Sequence, residues 1–216
     1  MKRSARARRE ESRTLYDRAL AAYEARDFDA AARYLQDMEK LAGGRSLPSL
    51  LLSAYMARDR GQPLSEIRLL QQAIALYEGD AHAPLRLLAT AWSLLGAVLS
   101  CLGESAMASA AFRKAARLEP NRNQKLVEQS NAIFTANAVE GITAEEMQSL
   151  YREYRGLLAD VAPWPRRWHG HQRLRIGYLS GDLGLHPVAY FAYALLRYFR
   201  PEAFQVYCYA VNQTED

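Results

Sequence analysis

The 216-residue sequence predicts a mainly α chain in which a stack of helical hairpins is followed by a partial α/β unit. Three observations carry that prediction. Apolar and small residues recur at fixed distances behind three turns, a proline-rich stretch then ends the helical period, and beyond it two short β-rich runs flank one segment of helix length. Half of the residues are hydrophobic and 24% are charged, a balance suited to a folded core. No apolar run approaches the roughly 18 to 20 residues that cross a bilayer, so no membrane partner is expected.

The chain opens on "MKRSARARRE", which is basic but has no apolar segment behind it, and so is no secretory signal. An Arg-rich transit peptide is the weaker reading. The net charge is +4, and Lys2, Arg3, Arg6, Arg8 and Arg9 supply more than that excess. The remainder is close to neutral, which argues against a folded basic stripe and against a nucleic-acid partner. Residues 1–10 are therefore expected to be a solvated, disordered tail.

Residues 11–122 read as repeats. The clearest hairpin is "AWSLLGAVLSCLGESAMASAAFRKAARLEP", residues 91–120. Its Trp92-x2-Leu95-Gly96-x2-Leu99, Ala108-x3-Phe112, Ala115 and Pro120 follow the tetratricopeptide pattern, with Leu99 in the usual Tyr place. Small residues at Gly96 and Ala108 let two antiparallel helices approach, and Trp92, Leu95 and Phe112 fill the space between them. Gly103 makes the turn and Pro120 stops the second helix. Phe112 and Ala115 follow Gly103 at +9 and +12, Leu70 and Ala73 follow Gly61 likewise, and Leu35 and Met38 follow Arg26, with Phe28 and Ala31 between. Arg26 and Gly61 are 35 residues apart and Gly61 and Gly103 are 42 apart, so an insertion is expected near "EGDAHAPLRLL". Three hairpins result, forming a quasi-linear solenoid whose concave face binds extended peptide or a partner helix. A plain helical bundle with small residues at its crossings is the competing reading.

Residues 123–172 read as a helical connector and linker. "QKLVEQSNAIFTANAV" places Leu126, Val127, Ile133 and Phe134 at helical spacing. "TAEEMQSLYREYRGLLADV" opens on a capping box, Thr143 with Glu146, and continues with Met147, Leu150, Tyr151, Tyr154, Leu157 and Leu158 on one face. "APWPRRWHGHQR" then breaks the pattern and marks the domain boundary. Its His169 and His171 cannot complete a tetrahedral shell by themselves, so no metal site is expected. Cys101 and Cys208 form no Cys-x-x-Cys spacing, and reduced thiols in a cytoplasmic protein fit best.

Residues 173–216 change period. "LRIGYLS" (174–180) reads as a strand, "PVAYFAYALLRYF" as a crossover helix with Pro187 in its first turn, and "AFQVYCYAV" (203–211) as a second strand. Strand, loop, helix, strand is a Rossmann-like βαβ unit with parallel strands and a right-handed crossover. The loop "GDLGLH" then lies at the carboxyl edge of the sheet, where open α/β sheets bind ligands. Its glycines permit unusual backbone angles and close approach. His186 can donate, accept or shuttle a proton near neutral pH, although a lone loop histidine is more often structural than catalytic. The loop lacks G-x-G-x-x-G, which speaks against a dinucleotide site.

Helical repeats, "SNAIFTAN", a proline-rich linker, "RLRIGYLSGDLGLHPVAYF" and "FQVYCYA", in this order, resemble the bacterial O-linked N-acetylglucosamine transferases of the SPINDLY family. The most specific part runs from Arg175 to Pro187: a Gly-Tyr strand followed by Asp182 and then His186-Pro187 is similar to the first motif of that family's catalytic lobe. The resemblance implies a glycosyltransferase with two Rossmann lobes, moving N-acetylglucosamine from a UDP-sugar to Ser or Thr hydroxyls of proteins. Some relatives transfer fucose or glucose. It implies no metal and no cofactor, the UDP-sugar being the donor substrate, and an acceptor protein on the repeats. Carried over, His186 lies in the cleft where sugar and acceptor meet, and with Asp182 it is the catalytic candidate. Gly181, Gly184 and Pro187 are the substrate-binding candidates of the same loop. The family's nucleotide contacts come from a second lobe that would lie beyond Asp216. The expectation is a truncated enzyme, inactive in isolation; the alternative is a protein-binding scaffold without catalysis.

Overall fold

A computed structural model describes residues 5–77, 80, 82–165 and 170–211. The chain divides into two compact units, Met1–Ala162 and Pro163–Asp216. The architecture is mainly helical with a small parallel sheet, as the sequence predicts.

The first unit is a run of helical hairpins: α1 (Ala5–Glu24) with α2 (Phe28–Ala42), α3 (Leu47–Asp59) with α4 (Pro63–Ala75), α5 (Leu85–Cys101) with α6 (Ser105–Leu118), and α7 (Arg122–Ala136) with α8 (Ala144–Gly156). Helices pack chiefly on their sequence neighbours, as in a solenoid. The three turns named from the sequence share one geometry. The backbone is left-handed at Arg26 (φ 63°), Gly61 (φ 66°) and Gly103 (φ 82°). The next N–H, from Asp27, Gln62 or Glu104, donates to the carbonyl of Ala22, Ala57 or Leu99, at 2.9 Å each time. This is the helix-ending motif that favours glycine. Arg26 takes the same backbone conformation with a side chain, whose guanidinium reaches Asp59 at 2.7 Å and lies over the Phe28 ring at 5.7 Å.

Behind each turn the expected residues are buried: Ala31, Leu35 and Met38; Leu70 and Ala73; Ala108, Phe112 and Ala115. Seven positions before each turn stands another buried small residue, Ala19, Ala54 or Gly96. Gly96 shows why: a Cβ there would stand 3.0 Å from three atoms of the Phe112 ring. In the second hairpin Glu66 takes the buried place held by Ala31 and Ala108, and Arg58 neutralises it at 2.7 Å. Trp92 is only half-buried at the edge of this core.

Three expectations change. Helix α1 covers Ala5–Glu24, so residues 5–10 are helical and not a disordered tail. Basic side chains at i and i+4 from acidic ones sustain an exposed helix, as Arg6 does with Glu10 at 3.2 Å. The connector helices form a fourth hairpin: Ser109 Oγ donates to the Ala132 carbonyl at 2.8 Å, and Arg113 binds Glu153 across to α8. Burial pushes the Glu153 carboxyl up, but hydrogen bonds and charge from Arg113, helped by Gln129 and Arg117, hold it below the ordinary carboxylate value. Of the apolar positions read on α7, Ile133 is buried while Phe134 is 78% exposed, because α6 and α8 cover only one side of the helix. The capping box is present: Thr143 Oγ1 accepts from Glu146 N–H at 3.2 Å and Glu146 Oε2 accepts from Thr143 N–H at 2.8 Å. The expected insertion is the long link from Leu76 to Pro84 between α4 and α5.

The second unit is β1 (Leu174–Ser180), α9 (Pro187–Arg197) and β2 (Phe204–Ala210). The strands are parallel, with Leu174 opposite Phe204 through to Ser180 opposite Ala210. Gly177 lies close under its neighbour strand, where a Cβ would stand 3.3 Å from the Tyr209 ring. The less exposed side chains of α9 recur at helical spacing as Ala189, Ala192 and Leu196. No residue of this helix is buried.

Candidate functional site

The loop from Gly181 to His186 leaves the carboxyl end of β1 and enters the first turn of α9. Val211 N–H donates to the Ser180 carbonyl at 3.1 Å, so β2 extends one bond past the strand end, beside the loop. Ser180 Oγ accepts from Asp182 N–H at 3.0 Å and turns the chain away from the sheet. The Gly184 carbonyl accepts from His186 N–H at 2.8 Å, and Pro187 then sets the first helical turn. Gly181 is not left-handed, and a Cβ there would meet Val211 Cγ2 at an ordinary 3.8 Å. The unusual backbone angle expected of it is absent, because the Ser180–Asp182 bond makes the bend without one.

His186 is the N-cap of α9. Its backbone is extended (φ −138°, ψ 148°), and its Nδ1 accepts from Val188 N–H at 3.3 Å. An accepting Nδ1 carries no proton, so the neutral ring holds its proton on Nε2. In this geometry Nδ1 is used by the cap and Nε2 takes no part in it. Asp182 Oδ2 is 4.0 Å from the same Nδ1, too far for a hydrogen bond and aimed at a nitrogen already engaged. The two side chains, each about half exposed, are neighbours and do not form a dyad. Asp182, Gly181, Gly184, His186 and Pro187 are all brought to one loop at one sheet edge, as the sequence order requires.

Among the described residues no group of three or more His, Cys, Asp or Glu side chains is placed to hold a metal ion. His169 of the "HGH" motif lies outside the described residues. Both cysteines are exposed free thiols. No helix among the described residues is long and apolar enough to cross a membrane.

What sequence reading missed is a groove along the first helices of successive hairpins. It has a volume of about 660 Å³ and takes its lining from α3, α5, the Glu119–Asn121 turn and α7. Its polar members are scattered between Tyr55 and Glu128, so no local motif announces it.

Neither a family model nor a curated protein matches this sequence. Among solved structures, the chain is similar to an O-GlcNAc transferase from Thermobaculum terrenum, determined as a mutant, with 24% sequence identity and a TM-score of 0.55. That similarity extends over 100% of this chain and 39% of the other, so the chain spans well under half the length of the protein it matches. At this identity the likeness is one of fold.

Proposed function

We propose that this chain supplies the acceptor-binding repeats and the first βαβ unit of a protein O-glycosyltransferase, which transfers N-acetylglucosamine from UDP-N-acetylglucosamine to Ser or Thr of proteins. The observation that carries this reading is the loop at the β1 carboxyl edge, with His186 capping α9 through Nδ1 and its side chain about half exposed. The fold likeness to an O-GlcNAc transferase and the SPINDLY-like segment from Arg175 to Pro187 support it. In this mechanism the loop positions donor and acceptor; His186 donates from Nε2 to a sugar or acceptor oxygen, and Asp182 orients a polar partner beside it. No metal or cofactor takes part. In this reading a second lobe holds the UDP-sugar, and the βαβ loop alone carries out no transfer. The reaction belongs in the cytoplasm, where thiols such as Cys101 and Cys208 stay reduced.

Transfer of radiolabel from UDP-N-acetylglucosamine to a Ser/Thr-containing peptide, by a protein carrying these residues together with a donor-binding lobe, tests the proposal. His186→Ala should lower kcat/KM by about ten-fold or more. His186→Asn keeps a side chain able to cap the helix, and should stay as low as the alanine variant. Normal turnover in the asparagine variant would leave His186 with the cap alone. A second reading, a binding scaffold without catalysis, is favoured by the confinement of every buried described residue to the repeats. Peptide binding by the protein that carries the donor-binding lobe, without transfer of sugar from any UDP-sugar, would establish it.

A further inference from the structure

Glu128 lines the groove that runs along α3, α5 and α7, yet it is only 3% exposed. Its Oε1 is held twice, accepting from Ser93 Oγ at 3.0 Å and from Gln124 Nε2 at 2.8 Å. Its Oε2 is buried and has no hydrogen-bond partner. Buried polar atoms are almost always paired, and a bare carboxylate oxygen calls for a specific donor. A second carboxylate, that of Glu119, is also buried in the lining, with Oε1 accepting from Asn121 N–H at 2.8 Å. Against these two acids the lining supplies one cation, Arg86, which is exposed. The Tyr55 ring, over which the Arg58 guanidinium already lies at 5.9 Å, also lines the groove.

We infer that this groove binds a basic side chain, the ammonium of a lysine or the guanidinium of an arginine, presented by an extended peptide, with Glu128 as its acceptor. A volume of about 660 Å³ exceeds a single side chain and accommodates several residues of backbone beside it. The inference deepens the proposal that the repeats bind the acceptor, and rests on that reading only for the biological role of the peptide.

The test is direct binding to the whole chain, with no transfer step, so that its failure is separate from failure of the glycosyltransferase reading. The probes are capped seven-residue polyalanine peptides with one central lysine, arginine or norleucine, and free butylamine, followed by NMR shifts of the groove residues. Lysine or arginine peptides should bind about ten-fold or more tighter than the norleucine peptide, about 1.4 kcal/mol per decade. Glu128→Gln should abolish that preference. Arg86→Gln, an exposed change that leaves Glu128 in place, should tighten the lysine peptide at least about two-fold and leave norleucine unchanged, since it removes the competing cation. Equal binding of lysine and norleucine peptides, or an undiminished preference in Glu128→Gln, overturns the inference. Butylamine binding as tightly as the lysine peptide overturns its peptide part.

Discussion

In the repeats, apolar side chains close over their sequence neighbours: Leu47, Leu50 and Leu70 are at most 1% exposed and share one core with Ala54, Ala91, Leu95 and Phe112. In the βαβ unit no described residue is buried, and Tyr190, Phe191, Leu179 and Tyr198 are each more than 70% exposed. The two regions are about equally rich in apolar residues, so composition does not explain the difference; geometry does. A helical hairpin presents one stripe, which the next hairpin covers, and burial accumulates locally. A parallel strand pair presents two faces, and a single crossover helix covers at most one of them. A region can thus carry a definite fold and a definite loop while contributing little to stability by itself.

That contrast can be broken or sharpened by substitution. Amides of α3 to α6 should exchange with solvent orders of magnitude more slowly than those of β1 and β2, because burial and cooperative opening set protection. Leu70→Ala should cost about 2–5 kcal/mol, read as a lowered urea midpoint of the repeats and faster exchange in α3 to α6. Equal protection of strands and repeats in the parent chain would abolish the comparison. Gly96→Val places carbon into the Phe112 ring and should cost about 1–3 kcal/mol, seen as a lowered melting temperature of the helical signal. An unchanged melt would mean that the helices of the third hairpin slide apart freely. The smallest effect is expected at Arg26→Gly. Relief of a left-handed backbone is worth about 1–2 kcal/mol, partly cancelled by loss of the exposed Asp59 pair at about 0–1 kcal/mol. A net gain of up to about 1 kcal/mol in denaturant titration is the outcome that fits; a net loss would show that the contacts to Asp59 and Phe28 dominate that turn.

Much of the fold was legible because helical and strand periods are local. The offsets behind Arg26, Gly61 and Gly103 found three hairpins, and the Thr143–Glu146 spacing found a helix start. The small residues before the turns, Ala19, Ala54 and Gly96, were equally readable but are meaningful only once the turns are aligned. The loop from Gly181 to Pro187 was legible as a sheet-edge loop. The state of His186 was not, because an N-cap acceptor and a free imidazole have the same sequence. Phe134 misled for a related reason: a helical stripe names a face, but not how far the neighbouring helices reach over it.

The sequence by itself determined the order of elements, the hairpin turns, the capping box of α8 and the βαβ loop, since each follows from residues within one turn or one repeat of each other. Only the tertiary structure decided that α7 and α8 continue the stack, that Arg58 neutralises a buried Glu66, and that Ser93 and Glu128 meet beneath a groove. Ser93 and Glu128 are 35 residues apart, and what joins them is the pitch of the solenoid. That meeting depends on the successive packing of α5 on α6 and of α6 on α7, which no pattern within one helix records.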